Sequence, residues 1–77
     1  MNVMLNNPVL YVVDYPALNA VEVIDKRRGR GGLFRDEAAR RLRRELVSVA
    51  QNATEMHDFE SWIAEYGSLM NQPAIYH

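Results

Sequence analysis

The chain has no cysteine, only two histidines and no long apolar run. Without cysteine it can form neither a disulfide nor a thiolate zinc site. His57 and His77 stand twenty residues apart, a separation that does not predict a metal pair. The sequence also lacks a phosphate-binding glycine loop, a cofactor fingerprint and a serine in a nucleophile-elbow pattern. We therefore expect no metal, no cofactor and no enzymatic activity.

Signals that would direct the chain to a membrane are missing as well. No stretch approaches the ~18 consecutive apolar residues of a membrane span. The first residues have no basic flank and no long apolar run, so we expect no secretory signal. These features predict a cytoplasmic protein that does not engage a membrane.

The short length favours self-association. A chain of 77 residues forms one domain at most, which here is residues 1–77. A domain of this size buries only about 60% of the surface that its unfolded chain exposes. Small domains compensate with disulfides, metals or oligomerisation, and the composition leaves oligomerisation. We therefore expect a homodimer.

Residues 9–15 are predicted to form a strand, because β-branched and aromatic side chains fill the interval between Pro8 and Pro16. Both faces of this strand are apolar, with Tyr11, Val13 and Tyr15 on one and Leu10 and Val12 on the other. Such a strand needs a cover on both faces. Residues 2–5 are predicted to form a short strand before it. The connecting turn is expected at Asn6-Asn7, because asparagine tolerates positive φ.

A hairpin is predicted to follow. Residues 20–27 alternate in the manner of a strand. Residues 28–32, Arg-Gly-Arg-Gly-Gly, have the glycines of a hairpin loop. Residues 32–35 are expected to form a short returning strand.

Two helices are predicted after residue 35. Asp36 is expected to cap the first helix, whose apolar stripe consists of Ala39, Leu42, Leu46, Val49 and Ala53. Residues 51–52 should end that helix, and Thr54 should cap the second. The second stripe consists of Met56, Phe59, Ile63, Tyr66 and Met70, widened by Trp62 and Leu69. Residues 71–73 are expected to stop this helix, unless Gly67 ends it earlier.

These elements predict an α+β fold. A small antiparallel β-meander of three to four short strands occupies residues 1–35, and an αα-hairpin with a short C-terminal tail occupies residues 36–77. The helices would pack on one face of the sheet. A second copy would cover the other face, and the candidate dimer residues are Tyr11, Val13 and Tyr15. If the helices take that face instead, the dimer would bury Leu10 and Val12.

The positive charges form a single block. All nine basic residues lie between Lys26 and Arg44, where Asp36 and Glu37 are the only acids, so the segment carries 9 − 2 = +7. The rest of the chain has eight acids and no Lys or Arg, so it carries −8. Such a block can contact phosphates or an acidic protein partner, or be neutralised by the acidic part of the same chain or of a second copy. The candidate contact residues are Lys26, Arg27, Arg28, Arg30, Arg40 and Arg44.

Neutralisation by the protein's own acids, across the helix pair or across a dimer, is the favoured interpretation. Glu37 and Arg41 are expected to pair at i,i+4, and the second helix offers further acids. The single Arg-Gly-Gly tripeptide at residues 30–32 resembles RNA-binding tails, and Tyr11 and Tyr15 could stack bases. A solvated hairpin tip and a buried interface explain the same residues. Nucleic-acid binding through residues 26–44 therefore stays as the alternative function.

Two segments resemble a known family. Residues 22–27, Glu-Val-Ile-Asp-Lys-Arg, and residues 68–77, Ser-Leu-Met-Asn-Gln-Pro-Ala-Ile-Tyr-His, are similar to short proteobacterial proteins catalogued only as a domain of unknown function. The chain departs from that family's pattern in residues 28–32 and at Gly67. The resemblance implies a bacterial cytoplasmic protein and transfers no activity. Together with the patterns above, it predicts a small, non-enzymatic, homodimeric protein-interaction module.

Overall fold

A computed structural model describes residues 1–70 and 72–73. Four antiparallel strands form a meander, β1 (Asn2–Asn6), β2 (Leu10–Tyr15), β3 (Ala20–Asp25) and β4 (Arg30–Arg35). Two helices follow, α1 (Asp36–Asn52) and α2 (Met56–Ala64). A two-residue strand, β5 (Gln72–Pro73), then pairs with β4. The predicted α+β fold is confirmed. The predicted tail, residues 74–77, lies outside the described residues, and the predicted stop at 71–73 contains β5.

The turn between β1 and β2 is built by an asparagine side chain. Asn7 Oδ1 accepts hydrogen bonds from the backbone N–H groups of Val9 and Leu10, each at 2.8 Å. The positive φ expected at Asn6-Asn7 is wrong, because in the described part of the chain only Asn19 and Asp36 have positive φ among residues other than glycine. A side-chain acceptor closes this turn instead of a left-handed backbone.

The hairpin between β3 and β4 turns earlier than predicted. Residues 26–29 form the turn, and the N–H of Gly29, at φ +64°, donates to the Asp25 carbonyl oxygen at 2.9 Å. Gly31, expected in the loop, belongs to β4 together with Gly32. An added Cβ at Gly32 would lie 3.2 Å from the Leu69 carbonyl oxygen. Gly32 therefore serves close packing of the segment after α2, and not the turn.

The helices pack on the sheet face that carries Leu10 and Val12. Strand pairing places Val23 beside Val12, and Gly32 beside Val23, on the same face. One core cluster joins this face to the helices and contains Val9, Leu10, Val12, Val21, Val23, Phe34, Ala39, Leu42, Leu46, Phe59, Trp62, Ile63, Tyr66 and Met70. The helices therefore leave the opposite face, with Tyr11, Val13 and Tyr15, uncovered.

The first helix follows its predicted stripe but not its predicted cap. Ala39, Leu42 and Leu46 are buried, and Val49 and Ala53 pack partly buried against the same core. Arg35 occupies the N-cap position without a side-chain hydrogen bond, and Asp36 is the first helical residue, at φ 52°. Its carboxylate accepts a hydrogen bond from Asn19 Nδ2 at 3.4 Å instead of capping α1.

The second helix is shorter than its apolar stripe. It ends at Ala64, although Tyr66 and Met70 remain in the core. A 3-10 helix, Gly67–Leu69, carries the chain between them. Met56 and Leu69, predicted as stripe members, are exposed. The predicted Thr54 cap is also wrong, because Glu55 and Asp58 form a reciprocal capping box.

Candidate functional site

The sheet face turned away from the helices, the outer face, carries the predicted dimer residues. Val12 packs in the core, so alternation along β2 places Tyr11, Val13 and Tyr15 on the opposite side. The strand register extends this face, because directly paired residues share a side. Its further members are Val3, Ala20, Glu22, Ile24, Leu33 and Arg35.

Burial divides the outer face into two groups. Val13 is 0% exposed and Ile24 is 1% exposed, so both are already removed from water within one protomer. Tyr11 and Tyr15 are half-buried, and Val3 is 52% exposed. Of the three predicted dimer residues, only the two tyrosines remain available for contact. Val3 joins them, because it lies opposite Val13, between the two tyrosines.

A hydrogen bond fixes one of these tyrosines. The Tyr15 hydroxyl donates to Glu22 Oε1 at 3.1 Å, across from β2 to β3. Partial burial and the Glu22 carboxylate together raise the pKa of Tyr15. The hydroxyl therefore stays a neutral donor, and its ring is held on the outer face.

The hairpin cations are engaged with their own chain. Lys26 Nζ donates to Asn6 Oδ1 at 2.5 Å. Arg27 Nε lies 2.8 Å from Glu60 Oε1 of α2, and Arg28 Nε lies 3.7 Å from Asp25 Oδ2. The Asp25 carboxylate also accepts the backbone N–H groups of Arg27 and Arg28 at 3.1 and 3.3 Å, so it holds the turn itself.

The cations of α1 are mostly paired as well. Arg40 pairs with Glu37, and Arg41 Nε lies 2.7 Å from Glu45 Oε2. The predicted Glu37–Arg41 pair is therefore wrong. Arg44 forms no ion pair with a carboxylate of the described residues, and the same holds for Arg35. Five arginines form ion pairs with carboxylates of the described residues: Arg27, Arg28, Arg40, Arg41 and Arg43.

The structure brings together only some of the six predicted basic contact residues. Arg28 and Arg30 line a shallow cleft with Gly67, Ser68 and Met70. Arg40 and Arg44 lie on α1 instead, one turn apart. The six candidate residues therefore belong to two elements, the β3–β4 hairpin and α1.

Sequence patterns did not reveal the polar contacts between α1 and α2. The Glu45 carboxylate accepts hydrogen bonds from the Tyr66 hydroxyl and, at 3.2 Å, from Trp62 Nε1. With Arg41 on its other oxygen, these bonds lower the pKa of Glu45 to about 2. Burial and the same carboxylate raise the pKa of Tyr66 to about 12. Buried Trp and Tyr side chains need a hydrogen-bond partner for their N–H and O–H groups. The presence of Trp62 and Tyr66 in a predicted core stripe was therefore the sequence signal for a polar contact of this kind.

A second polar contact ties α1 to the sheet. Arg43 Nη2 lies 2.7 Å from Asp14 Oδ1, and Arg43 Nη1 donates to Asn19 Oδ1 at 3.2 Å. All of these groups are partly buried. Arg43 is thus a structural cation, which ties α1 to the sheet and does not belong to an exposed basic surface.

His57 lies next to Ser61 and Glu60 on α2. Ser61 Oγ is 3.3 Å from His57 Nε2, and Glu60 Oε2 is 3.9 Å from His57 Nδ1. The imidazole is exposed to water, and Glu60 is already bound by Arg27. Residues spaced three and four apart meet on any helix surface. Helix geometry alone therefore accounts for the proximity of His57, Glu60 and Ser61, and no catalytic role is needed to explain it.

Two comparisons with known proteins identify the family. The family described as "Protein of unknown function (DUF3567)" matches residues 2–77. The chain belongs to this family. It is also 27% identical to the protein BTH_I0359 of Burkholderia thailandensis, over the full length of both chains. No solved structure matches the chain significantly. The family resemblance seen in residues 22–27 and 68–77 is therefore confirmed.

The described residues of this DUF3567 family member contain neither a cluster of metal-ligating side chains nor a membrane-spanning helix. Residues 1–70 and 72–73 hold no group of three or more His, Cys, Asp or Glu side chains placed to bind a metal ion. No helix in that part of the chain is long and apolar enough to span a bilayer. The surface that the geometry offers is thus the outer face, beside a basic segment that is largely paired.

Proposed function

We propose that this protein is a non-enzymatic interaction module of the bacterial cytoplasm, which acts as a homodimer. The proposed contact is the β1–β2 patch, which we define as Val3, Tyr11 and Tyr15 on the outer face. The observation that carries the proposal is the exposure of Val3, 52%, beside two half-buried tyrosines. Tyrosine is enriched at protein interfaces, where its apolar ring is covered and its hydroxyl keeps a partner.

The charges near the patch favour a second copy over a polyanion. Residues 1–13 contain no charged side chain, so no side chain of β1 or of the start of β2 repels its copy by charge. A twofold axis brings the same surface of each copy into the contact, so the uncharged patch of one copy meets the uncharged patch of the other.

The alternative function, nucleic-acid binding through residues 26–44, finds less support. Five arginines of that segment already pair with carboxylates of the same protomer. A phosphate backbone would have to compete with those carboxylates. The remaining acids of the chain would also repel it, since the chain as a whole has a formal charge of −1.

The size of the patch sets the expected strength. Stable interfaces bury about 800 Å² per partner. Three side chains on two strands that lie about 4.8 Å apart cover less than this. The dimer should therefore be weak and should dissociate on dilution.

Sedimentation velocity across a dilution series tests the proposal. The wild type should shift from dimer to monomer between roughly 1 mM and 1 μM, the range in which small interfaces dissociate. Val3→Ser should weaken dimerisation about thirtyfold, because a twofold interface loses ~1 kcal/mol of apolar burial in each copy. Val47→Ser is the matched control, because Val47 has the same residue type and the same 52% exposure but lies on α1.

Two results would contradict the proposal. The wild type could stay monomeric at the highest concentration. Alternatively, Val47→Ser could weaken the dimer as much as Val3→Ser, which would move the contact to α1.

A further inference from the structure

We propose that the second copy joins the sheet edge to edge, with β1 of one copy antiparallel to β1 of the other. The two meanders would then form one continuous sheet. This inference rests on the proposed homodimer and specifies how its two copies meet.

The strand order leaves β1 as an open edge of the sheet. β1 pairs with β2 on one side, and no strand of the described residues pairs with its other side. The opposite edge strand, β4, is paired with β5 at Arg30 and Gly31. An edge strand presents a row of backbone N–H and C=O groups that only another extended strand can satisfy regularly.

Most devices that keep edge strands apart are missing from β1. Such strands usually carry lysine, proline or an inward-pointing charge. The sequence of β1 is Asn-Val-Met-Leu-Asn, which contains none of them. The one device present is the bulge between Val3 and Leu5, which limits regular pairing to a few residues. A neutral edge of this kind suits a short pairing with a second neutral edge.

The directions of the side chains select a register. Val3 lies on the outer face, opposite Val13, whereas Asn2 pairs with Asp14 and Met4 packs against the core. Directly opposed residues of an antiparallel pair point to the same side. A twofold axis at Val3 satisfies this condition, because it pairs Val3 with its own copy and Asn2 with Met4 of the second copy.

This register also brings together the two copies of Val3, the exposed member of the β1–β2 patch. The two Val3 side chains would meet at the junction of the sheets, flanked on each side by Tyr11 and Tyr15 of the neighbouring strand. Each copy contributes the same edge, β1, to a twofold contact. The assembly therefore closes as a dimer and does not extend into a filament.

The lack of cysteine makes a cross-linking experiment simple. Val3→Cys introduces the only thiol of the chain, and Val47→Cys does the same at a site of equal exposure on α1. Directly opposed strand residues have Cβ atoms about 4.5–5.5 Å apart, close to the ~3.8 Å of a disulfide. Under mild oxidation, Val3→Cys should form a disulfide-linked dimer at least about tenfold faster than Val47→Cys.

Hydrogen exchange of the wild-type protein gives a second measurement that needs no variant. Raising the protein concentration should slow exchange of amides in β1 in proportion to the dimer fraction, because the pairing protects edge N–H groups. Amides at the exposed start of α1 should exchange at the same rate throughout.

The outcomes separate the two proposals. A wild type that sediments as a monomer at every concentration overturns the homodimer, and edge pairing with it. If the wild type dimerises but Val3→Cys links no faster than Val47→Cys and β1 amides gain no protection, the homodimer stands and the edge pairing is wrong. Fast linkage together with concentration-dependent protection supports both.

Discussion

At the scale of single residues, Glu45 shows how one side chain connects two helices. Its carboxylate binds Arg41 within α1 and the polar ends of Trp62 and Tyr66 near α2. Trp62 and Tyr66 also contact each other edge to face, with ring centroids 5.4 Å apart. The ionised carboxylate is the form that accepts all of these bonds, so the contact depends on pH.

Glu45→Gln should lower the free energy of unfolding at pH 7 by about 1–2 kcal/mol, because charge-assisted bonds become neutral ones at a site that is a third exposed. The pKa of Glu45 is about 2 in the folded protein, against an ordinary 4.5. When the pKa of an acid is lower in the folded than in the unfolded protein, its ionised form stabilises the fold. This stabilisation is complete at pH values above the unfolded pKa and is lost as the pH falls through the folded pKa. The wild-type advantage should therefore shrink between about pH 5 and pH 2.

Urea unfolding at several pH values measures this difference. Glu65→Gln, an exposed substitution of the same kind, should change stability little at any pH. A gap between the wild type and Glu45→Gln that stays constant down to pH 2 would show that the carboxylate charge is not what joins the helices.

At the scale of elements, α2 and the segment after it close the core. Phe59, Trp62 and Ile63 are buried on one side of α2, and Tyr66 and Met70 continue the apolar contact beyond its end. Tyr66 also packs edge to face against Phe34 of β4, with centroids 5.7 Å apart. The short 3-10 helix is what lets the chain turn while keeping these side chains inside.

Phe59→Ala should lower the free energy of unfolding by about 3–5 kcal/mol, because it leaves a cavity in a small core. Phe59 is 6% exposed, whereas Met56, on the same helix, is 40% exposed. Met56→Ala is the matched control and should cost less than about 1 kcal/mol. Thermal and urea unfolding of both variants measure the effect. A Phe59→Ala protein as stable as the wild type would place this side chain outside the core.

At the scale of the whole molecule, the opposite charges of the two parts of the sequence meet in space. Arg27 of the hairpin pairs with Glu60 of α2, and Arg43 of α1 pairs with Asp14 of β2. The strong charge asymmetry along the chain is therefore much weaker over the folded surface. This pairing is the physical reason to expect little affinity for polyanions.

Replacing Arg27, Arg28 and Arg30 together by serine tests that expectation. Neither the wild type nor the variant should bind labelled RNA or DNA at low salt, and stability should change little, since exposed pairs contribute about 0–1 kcal/mol. Tight, salt-sensitive binding by the wild type would contradict this. If the variant then flattened the logarithmic salt dependence by roughly 0.7–0.9 per lost contact, the hairpin would be the binding site.

The sequence by itself determined the kinds of element and their order. The β-branched and aromatic run in residues 9–15 and the alternation in residues 20–27 predicted strands. Steps of three and four from Ala39 and from Met56 predicted helices, because local side-chain spacing records which face is buried. It also predicted the candidate tyrosines Tyr11 and Tyr15. These features follow from neighbours in sequence, and the sequence contains those directly.

The tertiary structure alone decided which groups far apart in sequence meet. It left Val13 without exposed surface on the outer face, brought Val3 beside the two tyrosines, and used Gly32 for packing instead of for a turn. It also joined Glu45 to Tyr66, and Asp14 to Arg43. Residue patterns record periodicity but not the distances between elements. Caps, ion pairs and the covered face of the sheet depend on those distances, and they became defined only when the helices packed against the sheet.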